Sequence, residues 1–254
     1  MKFSIIIPTY RRSSGLQQSV SSLLRQTYTD WEAIIVNDSP DDPSYTSFVS
    51  SINDARIHYH VNINNKGVNY SRNQGLDKVS TESKWIIFLD DDDYLAPDAL
   101  ETFHNLIVAS HNKWFVTNRA HKNGQPLTQF PKSDALYNYA WNYLILKRCK
   151  GDATHCIETK LIRQIRFSEH VKQGEEWLFF YQVGLHSKMY YHDHNSTITE
   201  GYTEKGLNFR KRTRTTQLET LSVLAYEGAR LKIIYNPSFV VYLLMRFVRA
   251  LIKP

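Results

Sequence analysis

The sequence predicts an α/β fold with a mostly parallel central sheet flanked by helices, and three observations lead there. Over the first hundred residues, short β-branched or aromatic runs alternate with stretches of helical period. Those runs are nearly continuously apolar, as strands covered on both faces are. Directly after each run stands a polar cluster, at the edge where an open parallel sheet binds its ligands. At 254 residues the chain can hold one large domain, or a core with a smaller appendage.

The first strand is expected at residues 3–7, and the next at 33–36, 57–61 and 85–89. Between the first two, Leu16, Val20, Leu23 and Leu24 follow a helical spacing, with Ser13 or Ser14 able to cap the start. Residues 68–79 form a second helix. A third follows Pro97, with Leu100, Phe103, Leu106 and Ile107 on one side; proline is tolerated at a helix start. Beyond residue 110 the pattern loosens. A strand is expected at 114–117, a loop-rich stretch at 118–138, helical character at 137–147 and 177–183, and a strand at 189–191.

Hydrophobic residues make up 42% and charged residues 22%, the composition of an ordinary folded soluble protein. Cys149 and Cys156 match no zinc spacing, and the run of three isoleucines before Pro8 is too short for a secretory signal, so a reduced cytoplasmic setting is expected. The net charge of +6 is uneven. Residues 205–254 carry ten Lys/Arg against Glu219 and Glu227, a local balance of +8. That asymmetry points to a local anionic partner, either a membrane surface or an anionic acceptor. No nucleic-acid reader motif accompanies it.

Asp90, Asp91, Asp92 and Asp93 directly follow an apolar strand. Carboxylates packed this closely repel one another unless a cation or hydrogen-bond donors neutralise them. A Mn2+ or Mg2+ ion shared with phosphate oxygens is a natural solution, against the plainer alternative of a solvated acidic turn. If the chain stays extended here, Asp90 and Asp92 share one face and Asp91 takes the other.

The ordered series Ser4-Ile5-Ile6-Ile7-Pro8-Thr9-Tyr10-Arg11, Ile34-Ile35-Val36-Asn37-Asp38-Ser39, Asn65-Lys66-Gly67-Val68, Ser71-Arg72-Asn73-Gln74-Gly75-Leu76 and Phe88-Leu89-Asp90-Asp91-Asp92-Asp93 resembles the family-2 inverting glycosyltransferases of the GT-A fold. The match spans about residues 3 to 110. It implies a Rossmann-like sheet, a nucleotide-diphosphate sugar donor, and a single displacement with inversion. Pro8, Thr9 and Tyr10 would line the base pocket and Asp38 would bond the base. Arg72 would face the diphosphate, Asp90 would lie near the ribose, and Asp92 would bind the divalent metal. Asp91 occupies a variable place beside the nucleotide, and Asp93 supports the turn. A weaker match at Gln173-Gly174-Glu175-Glu176-Trp177 puts Glu176 where the family has its catalytic base, usually an Asp. His194, or His192, could join the metal as a late histidine ligand.

The implied organisation is a catalytic domain over residues 1–204, with donor binding in 1–110 and acceptor binding in 111–204, and a basic helical C-terminal extension over 205–254. The apolar stretch from Phe239 to Ile252, interrupted by Arg246 and Arg249, is too short to span a bilayer. It reads as an interfacial helix on an anionic leaflet, or as a helix packed on the catalytic domain or a second subunit. The membrane version places the protein on the inner face of the cell membrane, acting on glycan or lipid-linked acceptors of cell-envelope polysaccharide synthesis. Two rivals remain. A nucleotidyltransferase making a sugar nucleotide usually carries a Gly-rich triphosphate loop, which the Pro8-Thr9-Tyr10-Arg11-Arg12 turn lacks. A non-catalytic nucleotide-sugar-binding protein would keep the fold without turnover.

Overall fold

The structure, a computed structural model, describes residues 1–171, 176–199 and 214–252. Its elements run β1 (Lys2–Thr9), α1 (Ser13–Leu24), β2 (Trp31–Asn37), α2 (Ser44–Ser51), β3 (Ile57–Val61), α3 (Val68–Asp77), β4 (Ser83–Phe88), β5 (Asp93–Leu95) and α4 (Ala99–Ala109). There follow β6 (Trp114–His121), β7 (Ala135–Tyr137), a π-helix (Tyr139–Ile145), β8 (Ala153–Glu158), a 3-10 turn (Thr159–Ile162), α5 (Glu176–Gly184), β9 (Met189–Thr199), α6 (Arg214–Arg230) and α7 (Pro237–Ile252).

The described strands form one sheet in the order β3-β2-β1-β4-β8-β6-β9-β5, with β7 added on β9. Its first four strands are parallel, as the apolar character of β1, β2 and β4 predicts. Past β4 the direction mixes: β8 lies antiparallel between β4 and β6, and β6 then pairs in parallel with β9. Side chains alternate across β1, so Phe3, Ile5 and Ile7 join α1 and α4 on one face. Ile6 joins Ile34, Val36 and Ile86 on the other, against Trp114, Phe179 and Trp177 of the second half. Both faces being covered is why β1, β2 and β4 read as nearly unbroken apolar runs.

Helix α1 departs from its predicted pattern. Leu16, Val20 and Leu23 are buried but Leu24 is exposed, and Ser19 and Ser22 are buried instead. The two hydroxyls hold the segment after the aspartates: Ser19 Oγ donates to the Asp93 carbonyl (2.5 Å), and Ser22 Oγ accepts from the Leu95 amide (3.0 Å). The Gln26 side chain continues the strip, donating to the Ala96 carbonyl (2.7 Å) and accepting from the Leu100 amide (3.1 Å). No serine caps the helix; Arg12 occupies the N-cap position and sends its guanidinium to the aspartates.

The C-terminal helices are bonded into the core. Leu224 of α6 and Phe239 and Tyr242 of α7 belong to the same buried cluster as Trp177. Glu227 is fully buried, held by Arg230 (2.6 Å) and His170 (2.9 Å). Gly228 faces the Phe239 ring so closely that a Cβ there would collide with it. No helix among the described residues is long and apolar enough to cross a membrane.

Candidate active site

The strand ends converge as the topology requires. Pro8, Thr9 and Tyr10 from β1, Asp38 after β2, Asn65 and Gly67 before α3, Arg72 on α3, and all four aspartates after β4 line one cleft of about 730 Å³. The mixed half supplies the opposite wall with Arg119 of β6, Asp152 before β8, Glu176 at the start of α5, and the rings of Tyr139, Tyr143 and Trp177.

The aspartates do not continue as an extended strand. The Asp93 amide donates to the Asp90 carbonyl (3.1 Å), which folds the quartet into a turn and starts β5. Asp91 therefore points back to β1, accepting from Thr9 Oγ1 (2.7 Å) and the Tyr10 amide (3.2 Å). Thr9 in turn bonds Tyr45 Oη (2.8 Å), which accepts from the Arg12 amide (2.9 Å). Gly15 of α1 backs onto this turn, and a Cβ there would lie 2.5 Å from the Asp91 carbonyl oxygen.

Three arginines balance the four acids. Arg72 meets Asp90 (2.8 Å), Arg12 meets Asp92 (2.5 Å) and Asp91 (3.4 Å), and Arg119 meets Asp93 (2.9 Å) and Asp152 (3.3 Å). Burial would raise the Asp90 carboxyl, but the charges of Arg72 and Arg119 outweigh it and hold that acid below its ordinary range. Asp91 and Asp93 go the other way. Burial pushes Asp91 up to about 6 against the pull of Thr9 and Arg12, and Asp93 up to about 7 against that of Arg119.

Arg72 also reaches Glu176 (2.5 Å), so one guanidinium joins acids from the two halves. The Arg72 charge draws the Glu176 carboxyl down, yet burial with the nearby charges of Asp90 and Asp152 prevails and leaves it above its ordinary value. Asp38 is buried and largely engaged by the loop between β3 and α3. It accepts from Asn62 Nδ2 (2.8 Å) and from the Lys66 (2.9 Å) and Gly67 (2.7 Å) amides, holding the turn that opens α3 against the cleft.

Among the described residues, Asp90, Asp92 and Asp93 place carboxylate oxygens within 4.8 Å of one another. Three hard oxygen donors of this kind fit Mg2+ or Mn2+. His194 is not brought to them. The β9 register turns it toward α4, where it bonds Asp98 (3.2 Å) and Ser196 (2.9 Å), while His192 pairs with Asp134 (2.7 Å). Residues 173–175 of the second motif lie outside the described residues.

Sequence reasoning missed Arg12, Arg119 and Asp152. Arg119 stands past the apolar start of β6, among Thr117, Asn118 and His121, so nothing around it marks it out, and Asp152 looks like any loop acid until β8 is paired.

A parallel half-sheet ending in a carboxylate turn, completed by a mixed half that brings a further acid over it, is the GT-A arrangement of a glycosyltransferase. Residues 4–171 match the family model described as Glycosyl transferase family 2, and the chain belongs to that family. It is 28% identical over 202 residues to the GalNAc(5)-diNAcBac-PP-undecaprenol beta-1,3-glucosyltransferase of Campylobacter jejuni, covering 77% of this chain and 63% of that one. It is 36% identical over 201 residues to the poly(ribitol-phosphate) beta-N-acetylglucosaminyltransferase TarP of Staphylococcus aureus, covering 74% of this chain and 59% of that one. The chain thus spans less than two thirds of the length of either relative. The crystal structure of S. aureus TarS in complex with UDP-GlcNAc superposes with a TM-score of 0.76 at 20% identity, covering 92% of this chain and 67% of that one, a likeness of fold.

Proposed function

We propose that the protein transfers a sugar from a UDP-sugar, with inversion, to a glycan or lipid-linked acceptor in cell-surface polysaccharide synthesis. The observation that carries this is Arg72, whose guanidinium holds Asp90 on the donor side and Glu176 from the opposite wall in one cleft. The donor reading is supported by the TarS fold, determined with UDP-GlcNAc, and by relatives whose names describe glucosyl and N-acetylglucosaminyl transfer. An undecaprenol-linked acceptor, as in the name of the C. jejuni relative, would place a cytoplasmic protein at the inner membrane face.

In this reading Pro8, Thr9, Tyr10 and Asp38 hold the base, and Asp91 keeps the tip of β1 in register with the acid turn. Asp92, with Asp90 and Asp93, would hold Mn2+ or Mg2+, which when bound offsets diphosphate charge. Arg72 faces the charge that develops as the bond from the anomeric carbon to the diphosphate oxygen breaks. The acceptor oxygen bonds to the opposite face of that carbon, and its proton passes to Glu176. A carboxylate with a raised pKa is the better proton acceptor for that step.

The test is release of UDP from a panel of UDP-sugars, with thermal shift as the binding readout. Slow UDP release that requires Mn2+ or Mg2+ and stops with chelator is expected. Donor binding without any release would leave a binding protein, and pyrophosphate-dependent chemistry would mean a nucleotidyltransferase.

A further inference from the structure

Helix α7 is apolar on two sides. Phe239, Tyr242 and Ala250 are buried against the core. Opposite them Val240, Leu244, Phe247, Val248 and Leu251 recur at i, i+4, i+7, i+8 and i+11 and stand 39–58% exposed. Exposed apolar residues scattered singly need no explanation, but this spacing makes a continuous stripe.

A second element extends the same region. The π-helix packs on α7, and it exposes Trp141 and, just past its end, Leu146. Burial, with the charges of Arg249 and Arg246, holds the ammonium of the next residue, Lys147, below the ordinary lysine range. Arg246 bonds the Tyr242 hydroxyl (3.3 Å), and Lys147 lies over the Tyr143 ring at 5.9 Å. No carboxylate among the described residues forms an ion pair with any of these three cations. Arg246 and Arg249 follow Tyr242 at i+4 and i+7, so with Lys147 they gather three like charges on the flank of α7 that faces the π-helix, where an anion would offset their repulsion.

We propose that the exposed arc of α7, with Trp141, Leu146 and the Lys147, Arg246 and Arg249 cations, docks on an anionic bilayer surface. An apolar helix face with a basic flank and a nearby tryptophan is what lies in the plane of lipid headgroups. The 16 described residues of α7 include Arg246 and Arg249, which suit a helix lying in the plane of the headgroups. A second copy of the chain would bring the same like charges to the contact, whereas anionic headgroups satisfy both the arc and the charges.

The π-helix, which carries the exposed Trp141, borders the cleft. Tyr139 and Tyr143 of the π-helix line it, and so does Trp177, whose ring lies 4.7 Å from that of Tyr242 on α7. One aromatic layer therefore separates the cation cluster from the wall that carries Glu176. A phosphate-linked lipid held in the bilayer would present its sugar at the acceptor side without leaving the membrane. That link rests on the transferase reading above; bilayer docking does not, so the two can fail separately.

The test is co-sedimentation of the full chain with phosphatidylcholine vesicles containing or lacking phosphatidylglycerol. Binding is expected only with phosphatidylglycerol, and rising salt should weaken it. The K147Q/R246Q/R249Q variant should lose on the order of 100-fold in partitioning, and L244S/F247S/L251S roughly tenfold or more. UDP release in water should persist in both variants, showing an intact cleft. Wild-type protein that ignores phosphatidylglycerol, or variants that partition like wild type, would overturn the proposal. So would a dimer in sedimentation equilibrium that L244S/F247S/L251S dissolves, with no vesicle binding, since that assigns the face to a second copy.

Discussion

The two halves of the sheet supply the cleft in different ways. In the parallel half, site residues stand where strands end: Thr9 on β1, Asp38 after β2, Asp90 after β4. In the mixed half they come from the body of a strand (Arg119), a loop (Asp152) and a helix start (Glu176). Topology alone therefore locates the first set, while the second exists only once β8 and β9 have paired. Charge balance crosses the seam, because Arg72 of the first half holds Glu176 of the second.

The sharpest way to break this division is to remove one acid from each side. Glu176→Gln should lower transfer by roughly 10²- to 10⁴-fold, the usual worth of a positioned general base, while the thermal shift with UDP-sugar and Mn2+ stays near wild type. Asp92→Ala should abolish both signals. Loss of donor binding in Glu176→Gln would mean that the halves do not divide donor from acceptor.

Arg119→Gln tests the seam through stability. Asp93 is almost fully buried, and stripping a cation from a buried pair costs about 3 kcal/mol. Asp93→Asn added to Arg119→Gln should recover much of that loss in urea unfolding; a purely additive double variant would deny the coupling. A smaller effect belongs to α1. Ser22→Ala should cost about 1–2 kcal/mol by leaving the Leu95 amide unmet, while Leu24→Ala, on the exposed side, should cost less than about 0.5 kcal/mol.

The smallest effect compares one buried acid from each half. Glu32 is desolvated yet held below its ordinary pKa by the Ser4 hydroxyl, the Ser80 amide and Lys2. Glu227 is likewise desolvated but lowered by Arg230 and His170. A depressed folded pKa contributes stability that is present above the unfolded value and lost as pH falls through the folded one. Glu32→Gln and Glu227→Gln should each flatten the acid-side fall in unfolding free energy measured below about pH 4.5. An unchanged slope in either variant would show that its partners do not favour the charged form.

Legibility in the sequence follows the same seam. The runs in β1, β2 and β4 announced themselves because a strand covered on both faces has little polar alternation to disguise it, whereas the half-exposed edge strand β3 alternates Ile57, Tyr59 and Val61 with His58 and His60. The region holding β8 could not be read, since Thr154 and His155 interrupt its apolar pattern and its burial comes from lying between β4 and β6. Helix α2, mostly serine, threonine and tyrosine, carried too little apolar period to register. The aspartate motif was visible, but its geometry was not: the Asp93–Asp90 backbone bond turns it, and only the turn explains why Asp91 reaches Thr9.

Gly15 gives that turn a longer history. With no room for a methyl group between α1 and the Asp91 carbonyl, and with Ser19 and Ser22 gripping the residues just beyond, helix and acid turn form one rigid block. A lineage that changed its donor or acceptor could not do so by nudging the acids, because every ångström of movement would have to be shared by α1, β1 and β5 together. The acid turn is then a fixed datum, and diversification falls to segments hung on the other half, such as the π-helix and the loop before β8.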